Sequence, residues 1–391
     1  MIPGEFSLFL EGPFFRLLRL MRVQEAHIRR VRYQILFILP LIAWLPLLVL
    51  SAIGGQLLRG NVATPFLLDL EAHVRLLVAL PLLIIGEHVA EQRTRPVLQQ
   101  FLLRQLIPPH AMTRFEAAVA SALRICSSIS VEALIIAFIY GVGILVIWRQ
   151  YVALDTATWY AAPLAQGSKL SLAGIWYAYI SLPIFQFLML RWYFRLFVWA
   201  RFLAQVSRMD LHLVPTHPDR LGGLSFLLGA TGGLVVFASA HGALLAGWLA
   251  TRVLILGTPL TEFKEEIAAI VILVLCITLG PLLTFANPLF RAKRRGIREY
   301  GTLAARYVRE FDTKWLRGDT NDTEPLIGSP DVQSLADMGN SYSVVSSMRS
   351  IPITREIIIR FAVATLLPVA PLMLTLMPLE AMLTKLVSII L

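Results

Sequence analysis

The sequence predicts an all-α, polytopic transmembrane helix bundle of about seven spans with a small helical cytoplasmic segment. Of the 391 residues, 57% are hydrophobic and only 15% are charged, which is too apolar for an ordinary soluble chain. Charge-free runs also recur along the chain. Because a helix needs about 20 mostly apolar residues to cross the hydrocarbon core, such runs are typical of transmembrane helices.

Four long runs that contain no Asp, Glu, Lys or Arg predict four spans directly. They lie between Arg32 and Arg59, between Lys169 and Arg191, between Arg220 and Arg252, and between Glu266 and Arg291. Two further runs, 132–149 and 360–380, are just long enough once flanking residues are included. The predicted spans, together with a weaker one, lie near residues 34–56, 70–90, 129–148, 172–194, 224–250, 267–288 and 357–378.

The weaker span is the one near residues 70–90. Its charge-free part, Leu76 to Gly86, is short, and it reaches span length only if the flanking charged residues lie at the two interfaces. A re-entrant segment is the alternative.

Arginine and lysine are concentrated on alternate sides of the predicted spans. They abound before the first span, after the second and fourth, and after the sixth. Because basic loops favour the cytoplasm, we expect a multi-pass membrane protein with a cytoplasmic N-terminus. Arginine outnumbers lysine by 30 to 5, which is typical of a GC-rich bacterial genome, so we expect the bacterial inner membrane. The net charge of +10 accompanies hydrophobic spans, so anionic lipid headgroups are the expected partners rather than nucleic acid.

The chain divides into four segments on this pattern. Residues 1–33 are predicted to be a basic cytoplasmic segment with an interfacial helix, and residues 34–288 the first six transmembrane helices. Residues 289–356 are a cytoplasmic helical extension and cap. Residues 357–391 form a seventh, proline-broken transmembrane helix and a short amphipathic C-terminal helix.

Within the cytoplasmic segments, prolines and caps predict the helix boundaries. Pro108 and Pro109 split residues 91–128 into two helices, and the second is expected to run straight into the third span. The helix after the sixth span is expected to stop near Gly318. Ser329, followed by proline and aspartate, predicts a helix start, and Asn340–Ser341 predicts another.

Two motifs resemble an uncharacterised group of bacterial polytopic integral membrane proteins. They are His217-Pro-Asp-Arg-Leu-Gly-Gly-Leu224 and Ser329-Pro-Asp-Val-Gln-Ser-Leu-Ala-Asp337. The resemblance implies a bacterial polytopic membrane protein, and it implies no activity.

The sharpest polar cluster precedes the fifth span and contains Asp210, His212, His217 and Asp219. Imidazole and carboxylate groups can hold a divalent metal, so His212, His217 and Asp219 are weak metal candidates. Two alternatives remain: a helix start in which Pro218 occupies the first turn and Asp219 complements the dipole, or an anion or lipid contact through Arg220. Arg294 and Arg295 are further headgroup candidates.

Ionisable residues inside predicted spans are candidate transport sites because their desolvation requires a partner. His241 lies in the fifth span among small residues, which favour either close helix packing or a pore lining. Glu87 and His88 lie near the inner end of the second span, and Glu132 lies near the inner end of the third. Snorkelling, or pairing with Arg93 or Arg124, would explain both carboxylates without transport, and Arg191 and Arg195 are interpreted as headgroup anchors.

The C-terminus carries three prolines followed by a polar stripe, Glu380, Thr384 and Ser388, on an apolar helix. In a monomer this stripe would face the headgroup layer, whereas in a homo-oligomer it could surround a pore mouth.

No Walker loop, dinucleotide fingerprint, nucleophile elbow or zinc-protease motif occurs, and we expect no cofactor. The leading hypothesis is an oligomeric ion channel or secondary transporter for a small solute. The alternatives are a membrane-embedded enzyme with a site near His212, His217 and Asp219, possibly acting on lipid with a metal, and a membrane sensor or scaffold.

Overall fold

The computed structural model describes residues 25–58, 62, 64–148, 158–164, 167–318 and 327–376, and it is all-α apart from one hairpin. The helices are α1 (Glu25–Ile53), α2 (Leu70–Leu103), α3 (Met112–Cys126), α4 (Ile129–Phe138, continued by wide turns over Ile139–Trp148), α5 (Leu172–Ser207), α6 (Phe226–Ile255), α7 (Leu260–Leu316), α8 (Pro330–Ser346) and α9 (Arg355–Thr375). Strands β1 (Ala161–Leu164) and β2 (Gly167–Leu170) pair antiparallel.

Six of these helices, α1, α2, α5, α6, α7 and α9, are long and apolar enough to cross a membrane. A seventh crossing results if α3 and α4 act as one broken span, because together they pass the same test with a 45° bend between them. The predicted polytopic helix bundle is therefore confirmed. The weaker predicted span is part of an unbroken 34-residue helix, α2.

Helix α6 lies at the centre of the bundle. Its most apolar window is 67% buried, against 22% for the corresponding windows of α1 and α7. Close approach of neighbouring helices explains two of its glycines: a Cβ at Gly233 would lie 2.6 Å from Ala90 Cα, and a Cβ at Gly242 would lie 2.0 Å from the Thr365 carbonyl oxygen. At these two positions small residues serve helix packing, which was one of the two expectations for this span.

Backbone hydrogen bonds define the two ends of the bundle. At one end, which we call the hairpin end, the Trp159 amide donates to the Thr64 carbonyl oxygen (3.0 Å). At the other, which we call the junction end, the His212 amide donates to Leu106 (2.9 Å) and the Arg349 amide donates to Arg220 (2.8 Å). The connections between successive crossing elements therefore alternate between the two ends, as a multi-pass chain requires.

Two tryptophan side chains donate hydrogen bonds at the hairpin end. Trp159 Nε1 donates to Asp69 Oδ2 (2.8 Å), and Trp44 Nε1 donates to His73 Nδ1 (2.9 Å). Asp69 also accepts the Ala72 amide and so begins α2 with a cap. These contacts join α1, α2 and the segment before the β-hairpin.

At the junction end, α7 continues well beyond the bundle and packs against α8. Asp331 of α8 links the two helices, because its carboxylate accepts hydrogen bonds from Lys314 Nζ (2.7 Å) and Trp315 Nε1 (3.1 Å) of α7. These two hydrogen bonds lower the pKa of Asp331. Ser329 caps α8, accepting the Asp331 amide as the sequence predicts.

Two predicted boundaries are wrong. No helix begins at Asn340–Ser341, because α8 runs without a break from Pro330 to Ser346. The third predicted span is not a straight continuation of the helix before it, since the chain bends at Ser127 and Ser128 between α3 and α4. The predicted interfacial helix near Phe6–Leu20 lies outside the described residues.

Candidate functional site: a buried ionic cluster

Four charged side chains from three helices meet inside the bundle, and we call them the ionic cluster. Glu87 comes from α2, Glu132 from α4, and Arg191 and Arg195 from α5. Arg195 Nη1 lies 3.1 Å from Glu87 Oε1, whereas Arg191 Nε lies 3.8 Å from Glu87 Oε1 and 3.9 Å from Glu132 Oε1. One pair is therefore tight, and Arg191 lies loosely between two carboxylates.

The cluster is buried unevenly. The side chain of Arg195 is 2% exposed and that of Glu87 is 9% exposed, while Arg191 and Glu132 reach 13% and 22%. Two buried atoms of the cluster, Glu87 Oε1 and Arg191 Nε, make no hydrogen bond among the described residues. A buried polar atom without a partner is unusual in folded proteins and requires an explanation.

Local packing explains why these residues meet. Arg191 and Arg195 are four residues apart on α5 and so share one helix face. Between them, Trp192 packs against Gly86 of α2, where a Cβ would lie 3.0 Å from the indole, and its Nε1 donates to Leu83 (3.0 Å). This close approach of α2 and α5 brings Glu87, the residue after Gly86, to the two arginines. Glu132 lies in the first turn of α4, immediately beyond the bend.

An aromatic layer borders the cluster on the side of α6. The Trp192 ring stacks on Phe237 with centroids 5.1 Å apart, and Tyr193 Oη lies 2.6 Å from His241 Nε2. His241 Nδ1 lies 2.9 Å from the Phe237 carbonyl oxygen. Since a carbonyl only accepts, Nδ1 carries the proton, and in the neutral ring Nε2 accepts from the tyrosine hydroxyl. His241, predicted as a pore or proton site, is buried with both ring nitrogens paired.

The sequence does not predict the ionic cluster as a unit. We expected Glu87 and Glu132 to snorkel or to pair with Arg93 or Arg124, but Glu87 contacts Arg195 and Glu132 lies 3.9 Å from Arg191. Arg195, expected to be a headgroup anchor, faces the bundle interior. Two arginines spaced i, i+4 within one long apolar helix were an available signal. His88, the neighbouring candidate, hydrogen-bonds Gln92 (2.9 Å) on its own helix.

The second polar cluster forms the loop at residues 208–225, which we call the junction loop. Asp219 accepts the amides of Leu221 (2.8 Å), Gly223 (3.1 Å) and Ser225 (3.1 Å). Burial alone would raise the pKa of Asp219, but these backbone hydrogen bonds outweigh it, so the pKa is lowered. Arg104 of α2 donates to the Gly223 carbonyl oxygen (2.8 Å), tying the loop to the bundle.

The expectation of a helix start at Pro218 and Asp219 is wrong, because α6 begins only at Phe226. Asp219 instead organises turns ahead of the helix, with Arg220 in a left-handed conformation at φ 55°. The Asp219 amide donates to His217 Nδ1 (3.2 Å), and the same ring nitrogen lies 2.9 Å from Asp219 Oδ1, so the imidazole packs against Asp219. Within the described ranges, no three His, Cys, Asp or Glu side chains gather as a metal site would require.

The remaining predicted residues are not brought together. Arg220, Arg294 and Arg295 are exposed at the junction end. Glu380 and Thr384, the predicted pore residues, lie outside the described residues.

The fold and the composition define a multi-pass α-helical bundle with six helices that can cross a membrane, or seven crossings with the bent pair. Comparison with protein-family models, curated proteins and solved structures found no match.

Proposed function

We propose that the chain is a secondary transporter that moves a small solute across the bacterial inner membrane, with the ionic cluster as its transport site. One observation carries the proposal: two carboxylates and two guanidinium groups meet where a bent helix pair packs against α2 and α5, with Glu87 and Arg195 buried and Glu132 and Arg191 half-buried. Charged groups within membrane helices are costly to desolvate and commonly mark a substrate or proton pathway.

The energetics of buried ion pairs favour a functional role over a structural one. Replacing such a pair by apolar residues is often neutral or stabilising, so a buried pair is weak support for stability alone. The two unsatisfied atoms, Glu87 Oε1 and Arg191 Nε, fit this interpretation, because a cluster that served only to hold helices together would satisfy them.

The bend between α3 and α4 supplies a movable element. Transport sites are often built where a membrane helix is discontinuous. Helices α3 and α4 meet at an angle of 45°, and Glu132 is the fourth residue of α4. A change in this angle would therefore move the Glu132 carboxylate relative to Arg191. Such a movement would open the loose half of the cluster while the tight pair, Glu87 and Arg195, stays in place.

The orientation of the transporter follows from its arginines. We place the junction end in the cytoplasm because the basic residues of α7 and of the junction loop lie there. Anionic lipid headgroups are the partners proposed for Arg220, Arg294 and Arg295, and a homo-oligomer is the proposed assembly. Membership of the bacterial group that shares the two motifs belongs to the same proposal.

A membrane enzyme centred on His212, His217 and Asp219 is less well supported. Both carboxylate oxygens of Asp219 accept backbone amides, and the His212 amide is bound to Leu106. These contacts stabilise the turns of the junction loop and attach the loop to the bundle. A sensor or scaffold acting through α7 and α8 has no comparable buried charge to support it.

Reconstitution tests the proposal. Proteoliposomes would receive labelled solutes of four classes: inorganic cations, inorganic anions, carboxylates and amino acids. We expect protein-dependent uptake of at least one labelled solute that falls at least tenfold in Arg191→Gln and is unchanged in Arg201→Gln, an exposed arginine of the same helix. Absence of tracer flux for every class of solute would contradict transport.

A further inference from the structure

We propose that the ionic cluster binds a small monovalent anion at Arg191, in exchange for the carboxylate of Glu132, and that one proton on Glu132 accompanies each anion. This inference rests on the proposed transport function and names the substrate class and the coupled ion. It starts from the asymmetry between the two halves of the cluster.

The tight half is already paired in charge. Arg195 Nη1 and Glu87 Oε1 approach to 3.1 Å as an ion pair and compensate each other in the most buried part of the cluster, without a hydrogen bond to Glu87 Oε1 among the described residues. The loose half differs. Arg191 Nε lies 3.8 Å and 3.9 Å from the two carboxylates, too far for a hydrogen bond, and has no other partner among the described residues.

The permanent positive charge of Arg191 determines that the ligand is negatively charged. A guanidinium group keeps its charge at every physiological pH, so Arg191 always requires a negative partner inside the bundle. A carboxylate can lose its charge by binding a proton. The group that can be released from Arg191 is therefore Glu132, and an anion is the species that can replace it. A cation at the same place would lie against two arginine charges.

Charge balance gives the stoichiometry. In the empty state, two arginines and two ionised glutamates sum to zero. When a monovalent anion replaces Glu132 at Arg191, the sum stays zero only if Glu132 has taken up one proton. Because a net charge buried in a membrane domain is costly, loading with one anion and one proton is the favoured combination.

The surroundings of Glu132 allow this exchange. The charged groups that act on its carboxylate are Arg191 and Arg195 from α5 and Glu87 from α2. Cys126, at the end of α3, is the further titratable group close to Arg195. Glu132 is also the most exposed member of the cluster, at 22%, so a proton from solution can reach it more easily than it can reach Glu87.

The planar guanidinium fork binds carboxylates and planar oxyanions with two parallel hydrogen bonds. The test uses potassium lactate, nitrate and chloride as probes, added outside proteoliposomes that contain a pH-sensitive dye, with valinomycin clamping the membrane potential. We expect at least one of these anions to acidify the lumen faster than in protein-free liposomes. Lactate and nitrate, whose planar oxygen pairs fit the guanidinium fork, should be transported faster than chloride.

Variants of Arg191 and Glu132 separate anion binding from proton uptake. Arg191→Gln should lower both acidification and labelled-anion exchange at least tenfold. Glu132→Gln, which resembles the protonated state, should lower acidification at least tenfold while exchange stays within threefold of wild type. Arg201→Gln and Glu116→Gln, exposed residues on α5 and α3, are the matched controls and should behave as wild type.

A second measurement needs no variant. If proton and anion bind together, an anion that is transported should raise the melting temperature of the wild-type protein more at pH 5.5 than at pH 8. Anion flux without acidification, or an equal shift at both pH values, would overturn proton coupling. Cation flux that is insensitive to Arg191→Gln would overturn the anion assignment while leaving transport intact, and absence of all flux would overturn the proposed function itself.

Discussion

The contact between Glu87 and Arg195 shows how a charged side chain is accommodated within an apolar helix bundle. Arg195 is 2% exposed, so its guanidinium group has lost nearly all of its water and depends on protein oxygens for compensation. Glu87 provides the negative charge at 3.1 Å. Removal of either partner leaves the other charge buried and uncompensated, which costs more than loss of the whole pair.

Glu87→Gln should therefore lower the stability of the detergent-solubilised protein by about 3–5 kcal/mol, because Arg195 would remain buried without a counter-charge. The measurement is thermal or denaturant unfolding. Glu116→Gln, a change of the same chemistry at an exposed position of α3, should stay within about 0.5 kcal/mol of wild type. Equal stability of the two variants would mean that Glu87 does not compensate Arg195.

The sequence revealed the ionisable residues but not their partners. Glu87, His88 and His241 were recognisable as charges or imidazoles within apolar runs. The pairing of Glu87 with Arg195 depends on which faces of α2 and α5 meet, and a chain separation of more than 100 residues leaves no local signal of that. Arginine near the end of a span suits a headgroup anchor equally well, so only burial distinguishes the two roles.

At the scale of elements, charge-free runs predicted the spans well, whereas irregular joints were not predictable. The bend between α3 and α4 contains no proline or glycine, and its two serines, Ser127 and Ser128, are no stronger a helix-start signal than Asn340 and Ser341. Conversely, Asn340 and Ser341 resemble a helix start yet lie inside α8. Helix α8 packs against α7, and such tertiary packing overrides local propensity.

The crossing of α6 and α9 depends on Gly242. A Cβ there would lie 2.0 Å from the Thr365 carbonyl oxygen, a backbone atom that cannot rotate away. Gly242→Ala should therefore separate the two helices and lower stability by about 1–3 kcal/mol, as overpacking does.

Gly229→Ala, in the same span but with no atom within 4 Å of the added Cβ, is the matched control. It should be neutral or stabilising by up to about 1 kcal/mol, because alanine favours helix more than glycine does. Unfolding midpoints in one detergent compare the two variants, and a Gly242→Ala protein as stable as Gly229→Ala would contradict this packing.

The junction loop depends on the ionised carboxylate of Asp219. Asp219→Asn keeps one acceptor oxygen for three backbone amides, so we expect a loss of about 1–3 kcal/mol in unfolding free energy at pH 7. Because the folded-state pKa of Asp219 is lowered, its stabilisation is fully present above the usual aspartate pKa of about 3.9 and is lost as pH falls through the folded value.

The stability difference between wild type and Asp219→Asn should thus be constant from about pH 5 to 8 and shrink below about pH 4. Asp210→Asn, an exposed aspartate of the same loop, should show no such difference. A difference that grows towards low pH would contradict the assignment of the three hydrogen bonds to the ionised form.

At the scale of the whole molecule, six crossing helices and a bent pair that crosses as one span would place the hairpin end and the junction end on opposite sides of the membrane. The proposed orientation puts α7 and α8 in the cytoplasm. A transport site also requires that the α3–α4 pair, which carries Glu132, crosses the membrane rather than returning to its own side. The hydrogen bond from Trp159 to Thr64 supports crossing. Thr64 precedes α2, which carries the chain from the hairpin end to Leu106 at the junction end, and Trp159 follows the α3–α4 pair, so this pair returns the chain to the hairpin end.

The most direct test is side-specific labelling of single cysteines in intact cells. With Cys126 and Cys276 replaced by alanine, Leu67→Cys, Lys169→Cys and Ser334→Cys place a thiol at exposed positions before the bent pair, after it, and on α8. We expect a membrane-impermeant maleimide to label Leu67→Cys and Lys169→Cys in intact cells, and Ser334→Cys only after lysis. Labelling of Leu67→Cys but not Lys169→Cys, or of Ser334→Cys from outside, would contradict seven crossings with a cytoplasmic junction end.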